Sequence, residues 1–172
     1  MKALLIVDVQ NDFCPGGALE VHHGDEVVPV INRLVDEYPL VIASQDWHPT
    51  ETSHFNKWPA HCVAGTQGAQ LHPRLRQELI ASIFKKGTTS RDDGYSVFEA
   101  TNANLEEYLK ECQVEELDLC GLATDYCVKE TALDAARRGF HTRVITNAVA
   151  AVGDPAPALE RLREAGVELV EA

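Results

Sequence analysis

Gly121-Leu-Ala-Thr-Asp-Tyr-Cys127-Val-Lys-Glu-Thr-Ala-Leu-Asp-Ala135 joins two kinds of periodicity. Leading into it, Leu117 to Leu122 is an apolar run of strand length, broken only by Asp118, Cys120 and Gly121. Val128, Thr131, Ala132, Ala135 and Ala136 then recur at helical spacing. Cys127 therefore sits in a strand-to-helix turn, where unpaired backbone N–H groups and the positive end of the helix dipole favour a thiolate. A single cysteine is more often a small buried hydrophobe. The nucleophile reading thus depends on what the other segments bring to it.

The same alternation extends in both directions. Ala3–Val7, Leu40–Ala43, a short Ser82–Lys85, Leu117–Leu122, Thr142–Thr146 and Val167–Val170 read as strands. The uninterrupted aliphatic runs among them suit strands covered on both faces. Between them, Val27–Val35 repeats as a helix halted by Pro39, Leu75, Leu79 and Ile80 suggest a further helical segment, and Leu105–Cys112 repeats at i, i+3, i+4 and i+7. The helix after Cys127 ends at Gly139, and Ala158–Ala165 forms another. This order predicts one α/β domain over residues 1–172, with a six-stranded, mainly parallel sheet, right-handed crossovers and helices on both faces in a Rossmann-like three-layer arrangement.

Fifteen basic against twenty-seven acidic side chains give a net charge of −12, which repels phosphate backbones and anionic membrane surfaces. The apolar opening stops at Asp8, and no later run reaches the roughly 18 residues of a membrane span, so a soluble cytoplasmic protein is expected. Cysteines at 14, 62, 112, 120 and 127 are odd in number and lack paired spacing, which argues against a disulfide framework or a thiolate zinc site.

The first strand should deliver Asp8 to the carboxyl edge of the sheet, where open α/β folds bind ligands. The loop of about residues 45–72 carries Asp46, His48, His54 and His61 within sixteen residues and outside regular structure. Mixed imidazole and carboxylate ligation suits Zn, Fe(II), Mn or Co, with Cys62 as an alternative ligand beside His61. Lys85 and Lys86 end the third strand, where alternation lets only one face the site, and Lys86 before Gly87 is the choice. With Asp8 as base and Lys86 as counter-charge, Cys127 would complete a Cys-Asp-Lys triad. Asp125 either hydrogen-bonds at the site or serves the helix N-terminus.

Asp8-Val-Gln-Asn-Asp-Phe13, Pro15-Gly-Gly-Ala-Leu19, Asp46-Trp-His48-Pro, His54-Phe, Trp58-Pro-Ala-His61-Cys-Val, Phe84-Lys-Lys86-Gly and the Cys127 stretch occur in one order along nearly the whole chain. Together they resemble the nicotinamidase branch of the isochorismatase-like cysteine hydrolases. The resemblance implies an isochorismatase-like fold and conversion of nicotinamide, and often pyrazinamide, to the acid and ammonia. It implies Cys127 as nucleophile, Asp8 as proton acceptor and donor, and Lys86 as their electrostatic partner. Asp46, His48, His54 and His61 match the ligands of one divalent metal, zinc foremost with Mn or Fe as alternatives. Phe13, Trp58 and Tyr95 match ring-packing positions, Ala123 and Cys127 the backbone oxyanion hole, and Leu122-Ala123 a cis peptide. Another amide or carbamoyl hydrolase would not need the Asp46, His48, His54, His61 set, and a non-catalytic metal-binding protein would not need Asp8, Lys86 and Cys127. The oligomeric state stays open.

Overall fold

Strand β1 (Lys2–Val7) runs through the middle of one all-parallel sheet, and the computed structural model, which describes residues 1–172, shows why its sequence has no polar interruption. Ala3, Leu5 and Val7 enter one core and Leu4 and Ile6 the other, as the two-residue period requires when both faces are covered. β1 pairs with β2 (Leu40–Asp46) on one side and β4 (Glu116–Leu122) on the other. β3 (Ser82–Lys86) lies outside β2, while β5 (His141–Ala150) and β6 (Glu168–Val170) continue beyond β4, giving the order 3-2-1-4-5-6.

Helix α1 (Val27–Leu34) supplies Val27, Val28, Ile31 and Leu34 to the core that holds Leu4. A single turn, α2 (His54–Lys57), interrupts the β2–β3 connection. On the opposite face α3 (Leu105–Glu111), α4 (Lys129–Arg137) and α5 (Ala156–Glu164) bury Leu105, Leu109, Ala132, Ala135 and Leu162. The order reverses between β1 and β4, so a crevice opens beyond their carboxyl ends. Asp8 and the Cys127 turn both emerge there.

The expected elements are present, with four differences. β2 continues past Ala43 through Ser44, Gln45 and Asp46, which are polar yet buried because Asp8 and Gln10, just after β1, bond Ser44 and Asp46, and the Ala69 carbonyl accepts from Gln45. β5 runs on to Ala150 through a register shift opposite Leu119 and Gly121. The Leu75–Ile80 segment is one 3-10 turn, Gln77–Leu79, with Leu75 and Ile80 reaching the core and Leu79 facing solvent. Cys127 lies in a wider π turn, Thr124–Val128, whose Val128 N–H donates to the Ala123 carbonyl before α4 begins. The Leu122–Ala123 peptide is cis.

Near the amino edge, Asp118 of β4 is wholly buried. Arg143 donates to it through Nε at 2.7 Å and Nη2 at 2.6 Å, Lys2 stands 3.2 Å away, and Tyr38 Oη donates to Oδ2. Burial would raise its carboxyl, but the bonds from Arg143 and Tyr38 hold it below the ordinary 3.8. Asp118→Ala is expected to lower unfolding free energy by about 3 kcal/mol at neutral pH, since Arg143 loses its buried partner and keeps only Glu116, at 3.2 Å. A folded carboxyl below its unfolded value stabilises above the unfolded value and ceases to do so as pH falls through the folded one. Urea unfolding should therefore show the gap between parent and variant narrowing at acid pH; a gap independent of pH would assign the loss to packing.

Candidate active site

Lys86 ends β3 with its ammonium fully enclosed. Its Nζ lies 2.7 Å from Asp8 Oδ2, 2.5 Å from Asp46 Oδ1 and 3.3 Å from Cys127 Sγ. Lys85, one residue earlier and on the opposite side of the strand, stands 4.0 Å above the Trp47 ring. Asp8 leaves β1 in a left-handed conformation, φ 48°, and Ser44 Oγ donates to its Oδ1 at 2.7 Å. The other oxygen, Oδ2, has the Lys86 charge beside it but no aligned hydrogen-bond donor.

The charges sort themselves by environment. Burial raises the Asp8 carboxyl, and Lys86 offsets this only in part. Burial acts the same way on Asp46, but there Lys86 and His48 prevail and hold it below the carboxylate range. Lys86 keeps its proton because Asp46 and Asp8 overcome the cost of burial. Burial also pushes the Cys127 thiol well above 9.0, opposed by Lys86 and reinforced by Asp8 and Asp46. Burial thus favours the thiol, although a strand-to-helix turn alone favours the thiolate. Reacting donor atoms of Asp8, Asp46 and Cys127 lie within 4.8 Å of one another. Asp8, the carboxylate with the raised proton affinity, is the group able to take the thiol proton.

A second cluster adjoins the first through Asp46. Donor atoms of His48, His54 and His61 also lie within 4.8 Å of one another. Their Nδ1 atoms donate to Gly87 O at 2.7 Å, Asp92 Oδ1 at 2.6 Å and Pro59 O at 2.7 Å. Carbonyl and carboxylate oxygens only accept, so each Nδ1 carries the proton and each Nε2 lone pair is left for another partner. Asp46 Oδ2 faces the same space, 3.4 Å from His48 Nε2 and 4.0 Å from His61 Nε2. His48 Nε2 is buried without a partner, an uncommon state for a polar atom. Burial also lowers His54 and His61, favouring neutral imidazoles. Three imidazoles and one carboxylate fit a zinc, manganese or ferrous ion. A Cβ on Gly87 would stand 2.5 Å from His48 Cε1, so only glycine lets the chain pass this ring. Cys62 is not among the gathered donor atoms: its N–H donates to Asp12 Oδ2 at 2.8 Å, and burial pushes its thiol well above 9.0.

Both clusters open into one cavity. Phe13, Trp58 and Tyr95 line it together with Asp8, Asp46, Cys127, Ala123 and the three histidines, while Lys86 lies behind the wall. Trp58 Nε1 donates to Tyr95 Oη at 3.1 Å. Tyr126, whose ring meets Trp58 edge-on at 5.0 Å, also lines the cavity, and its place beside Cys127 was the available signal for it. Gln10 holds the end of β2 by donating to the Asp46 carbonyl at 2.8 Å and accepting from the Asp46 N–H at 2.9 Å. Nothing in local sequence marks Gln10, Ser44 or Asp92. Asp125 accepts from Val152 and Gly153 N–H groups at 2.9 Å, tying the Cys127 turn to the segment after β5.

Residues 2–172 match the isochorismatase domain model. The nicotinamidase of Escherichia coli K12 is 42% identical, with 98% of this chain and 93% of that protein covered. The pyrazinamidase of Pyrococcus horikoshii in complex with zinc superposes with a TM-score of 0.91 at 37% identity, covering 99% of each chain. PnC1 from L. infantum in complex with nicotinate gives 0.94 at 36% identity, covering 99% of this chain and 92% of that one.

In metal-free protein, Lys86→Met should lower unfolding free energy by about 3–5 kcal/mol, because it leaves two buried carboxylates without their cation. Adding Asp8→Asn should recover part of the loss, with a coupling of about 1–3 kcal/mol in a double-mutant cycle by urea unfolding. Strict additivity would show that Lys86 and Asp8 are not an energetic pair.

Proposed function

The chain belongs to the isochorismatase family, and we propose that within it this amide hydrolase converts nicotinamide to nicotinate and ammonia through a thioester on Cys127. The observation that carries the reading is the convergence of the Asp8, Lys86, Cys127 cluster and the Asp46, His48, His54, His61 cluster on one aromatic-walled cavity.

Asp8 Oδ2 accepts the Cys127 proton as Sγ attacks the carboxamide carbon. The carbonyl electrons move onto oxygen, held by the backbone N–H groups of Ala123 and Cys127. One such donor is worth roughly 3 kcal/mol in the transition state. As the oxyanion collapses, the C–N bond breaks and Asp8 returns its proton to the departing ammonia. Asp8 then takes a proton from water, whose oxygen attacks the thioester; the C–S bond breaks and Sγ recovers the proton. Lys86 stabilises both the Asp8 carboxylate and the negative charge developing on sulfur. Phe13, Trp58 and Tyr95 wall the ring. Asp46, His48, His54 and His61 would hold one divalent metal, zinc foremost, which when bound supplies a Lewis acid for a ring nitrogen. The zinc-bound relative supports that choice.

Pyrazinamide, also a nitrogen-containing ring carboxamide, suits the same wall. We assign residues 1–172 to one hydrolase domain whose connection of about 45–72 brings in the histidines. No helix is long and apolar enough to cross a membrane. We place the reaction in the cytoplasm, where free cysteines stay reduced and nicotinate serves the rebuilding of NAD.

Ammonia release from nicotinamide should be lost on chelation and restored by Zn, Mn or Fe(II). Cys127→Ala should lower turnover by at least about 10³-fold while retaining metal. Folded protein that releases no ammonia from nicotinamide with any of the three metals would overturn the proposal in favour of another amide.

A further inference from the structure

Asp92, in the loop after β3, has no part in the chemistry above, yet one of its oxygens serves both walls of the cavity. Asp92 Oδ1 accepts from His54 Nδ1 at 2.6 Å and from Tyr95 Oη at 2.7 Å. Tyr95 Oη in turn accepts from Trp58 Nε1 at 3.1 Å. A continuous chain of hydrogen bonds therefore runs from a candidate metal-binding imidazole to two aromatic side chains of the ring wall. Lys57 Nζ lies 3.9 Å from the other Asp92 oxygen and 5.7 Å above the Tyr95 ring, so the carboxylate also has a cation beside it.

The three imidazoles are not held alike. His48 and His61 donate to backbone carbonyls, whereas His54 donates to a carboxylate. An anionic partner fixes the same tautomer and in addition strengthens the imidazole as a ligand. The backbones do not separate them: His48 N–H donates to Cys62 O and its carbonyl accepts from Ala64 N–H, while His54 N–H donates to Thr52 Oγ1 at 3.2 Å and its carbonyl accepts from Trp58 N–H at 3.1 Å. What sets the two rings apart is the partner of Nδ1, a neutral carbonyl for His48 and a carboxylate for His54.

We infer that Asp92 is a positioning residue that couples the metal donor set to the ring wall, holding His54 directly and Trp58 through Tyr95. The inference rests on the metal and ring assignments proposed above. Loss of the carboxylate weakens both arms, while loss of the Tyr95 hydroxyl breaks only the arm to the ring wall.

The test begins without substrate, by competing protein for Zn(II) and Co(II) against a chromophoric chelator and recording the Co(II) ligand-field spectrum. Asp92→Ala should bind metal about 10- to 100-fold more weakly, with a changed Co(II) spectrum, and Asp92→Glu should recover part of the affinity. Tyr95→Phe should keep metal affinity within about twofold of the parent. At saturating metal, Asp92→Ala and Tyr95→Phe should both raise KM for nicotinamide by a larger factor than they lower kcat. A folded Asp92→Ala protein with parental metal affinity and spectrum, beside a parent that binds metal tightly, would overturn the coupling alone. A parent that binds neither ion would overturn the metal assignment and the coupling together.

Discussion

One buried ammonium between two carboxylates sets the terms for the rest of this molecule. Lys86 is compensated only where Asp8 and Asp46 both reach it, and those two anions arrive on the ends of β1 and β2. β3 must therefore pair with β2 in the register that places Lys86 opposite Asp46. A slip of one residue would turn Lys86 outward and bring Lys85 into the site, since side chains alternate along a strand. The sheet's alignment and the site's charge balance are thus one constraint. Asp46 carries it further: one oxygen faces Lys86 and the other the histidines, so the Asp8–Lys86–Cys127 cluster and the histidine cluster share a residue.

The two edges of the sheet divide the work. At the amino edge, Asp118, Arg143, Lys2 and Tyr38 satisfy one another, and their charges secure the pairing of β1, β4 and β5. At the carboxyl edge the buried groups are left incompletely satisfied, with Asp8 Oδ2 and His48 Nε2 lacking aligned partners. Unsatisfied buried groups cost stability, so their concentration beside the cavity and not in the core is the physical mark of a site kept ready for a ligand.

Local pattern made the framework legible. The aliphatic residues of β1 and the strand entering the Cys127 turn announced both their burial and the edge to which they deliver Asp8 and Cys127. Alternation showed that only one of Lys85 and Lys86 could face the site, and the place before Gly87 pointed to Lys86. The continuation of β2 was not legible, because Ser44, Gln45 and Asp46 look like a loop until Gln10 and Ser44 are seen to bond across 36 positions of sequence. Asp92 was hidden for the same reason, lying 38 residues from the histidine it holds. The histidines could be recognised as a group by their density, but their common tautomer could not, since it is set by carbonyls and a carboxylate that only the fold brings to them. Family resemblance supplied roles for Phe13, Trp58 and Tyr95 where periodicity had none to offer.

The enclosure of Cys127 also bears on how the protein withstands its surroundings. Peroxides and other electrophiles attack thiolates that solvent can reach, and Cys127 is only 8% exposed in a setting whose burial raises its thiol. The walls that shape the cavity therefore also shield this sulfur from oxidants.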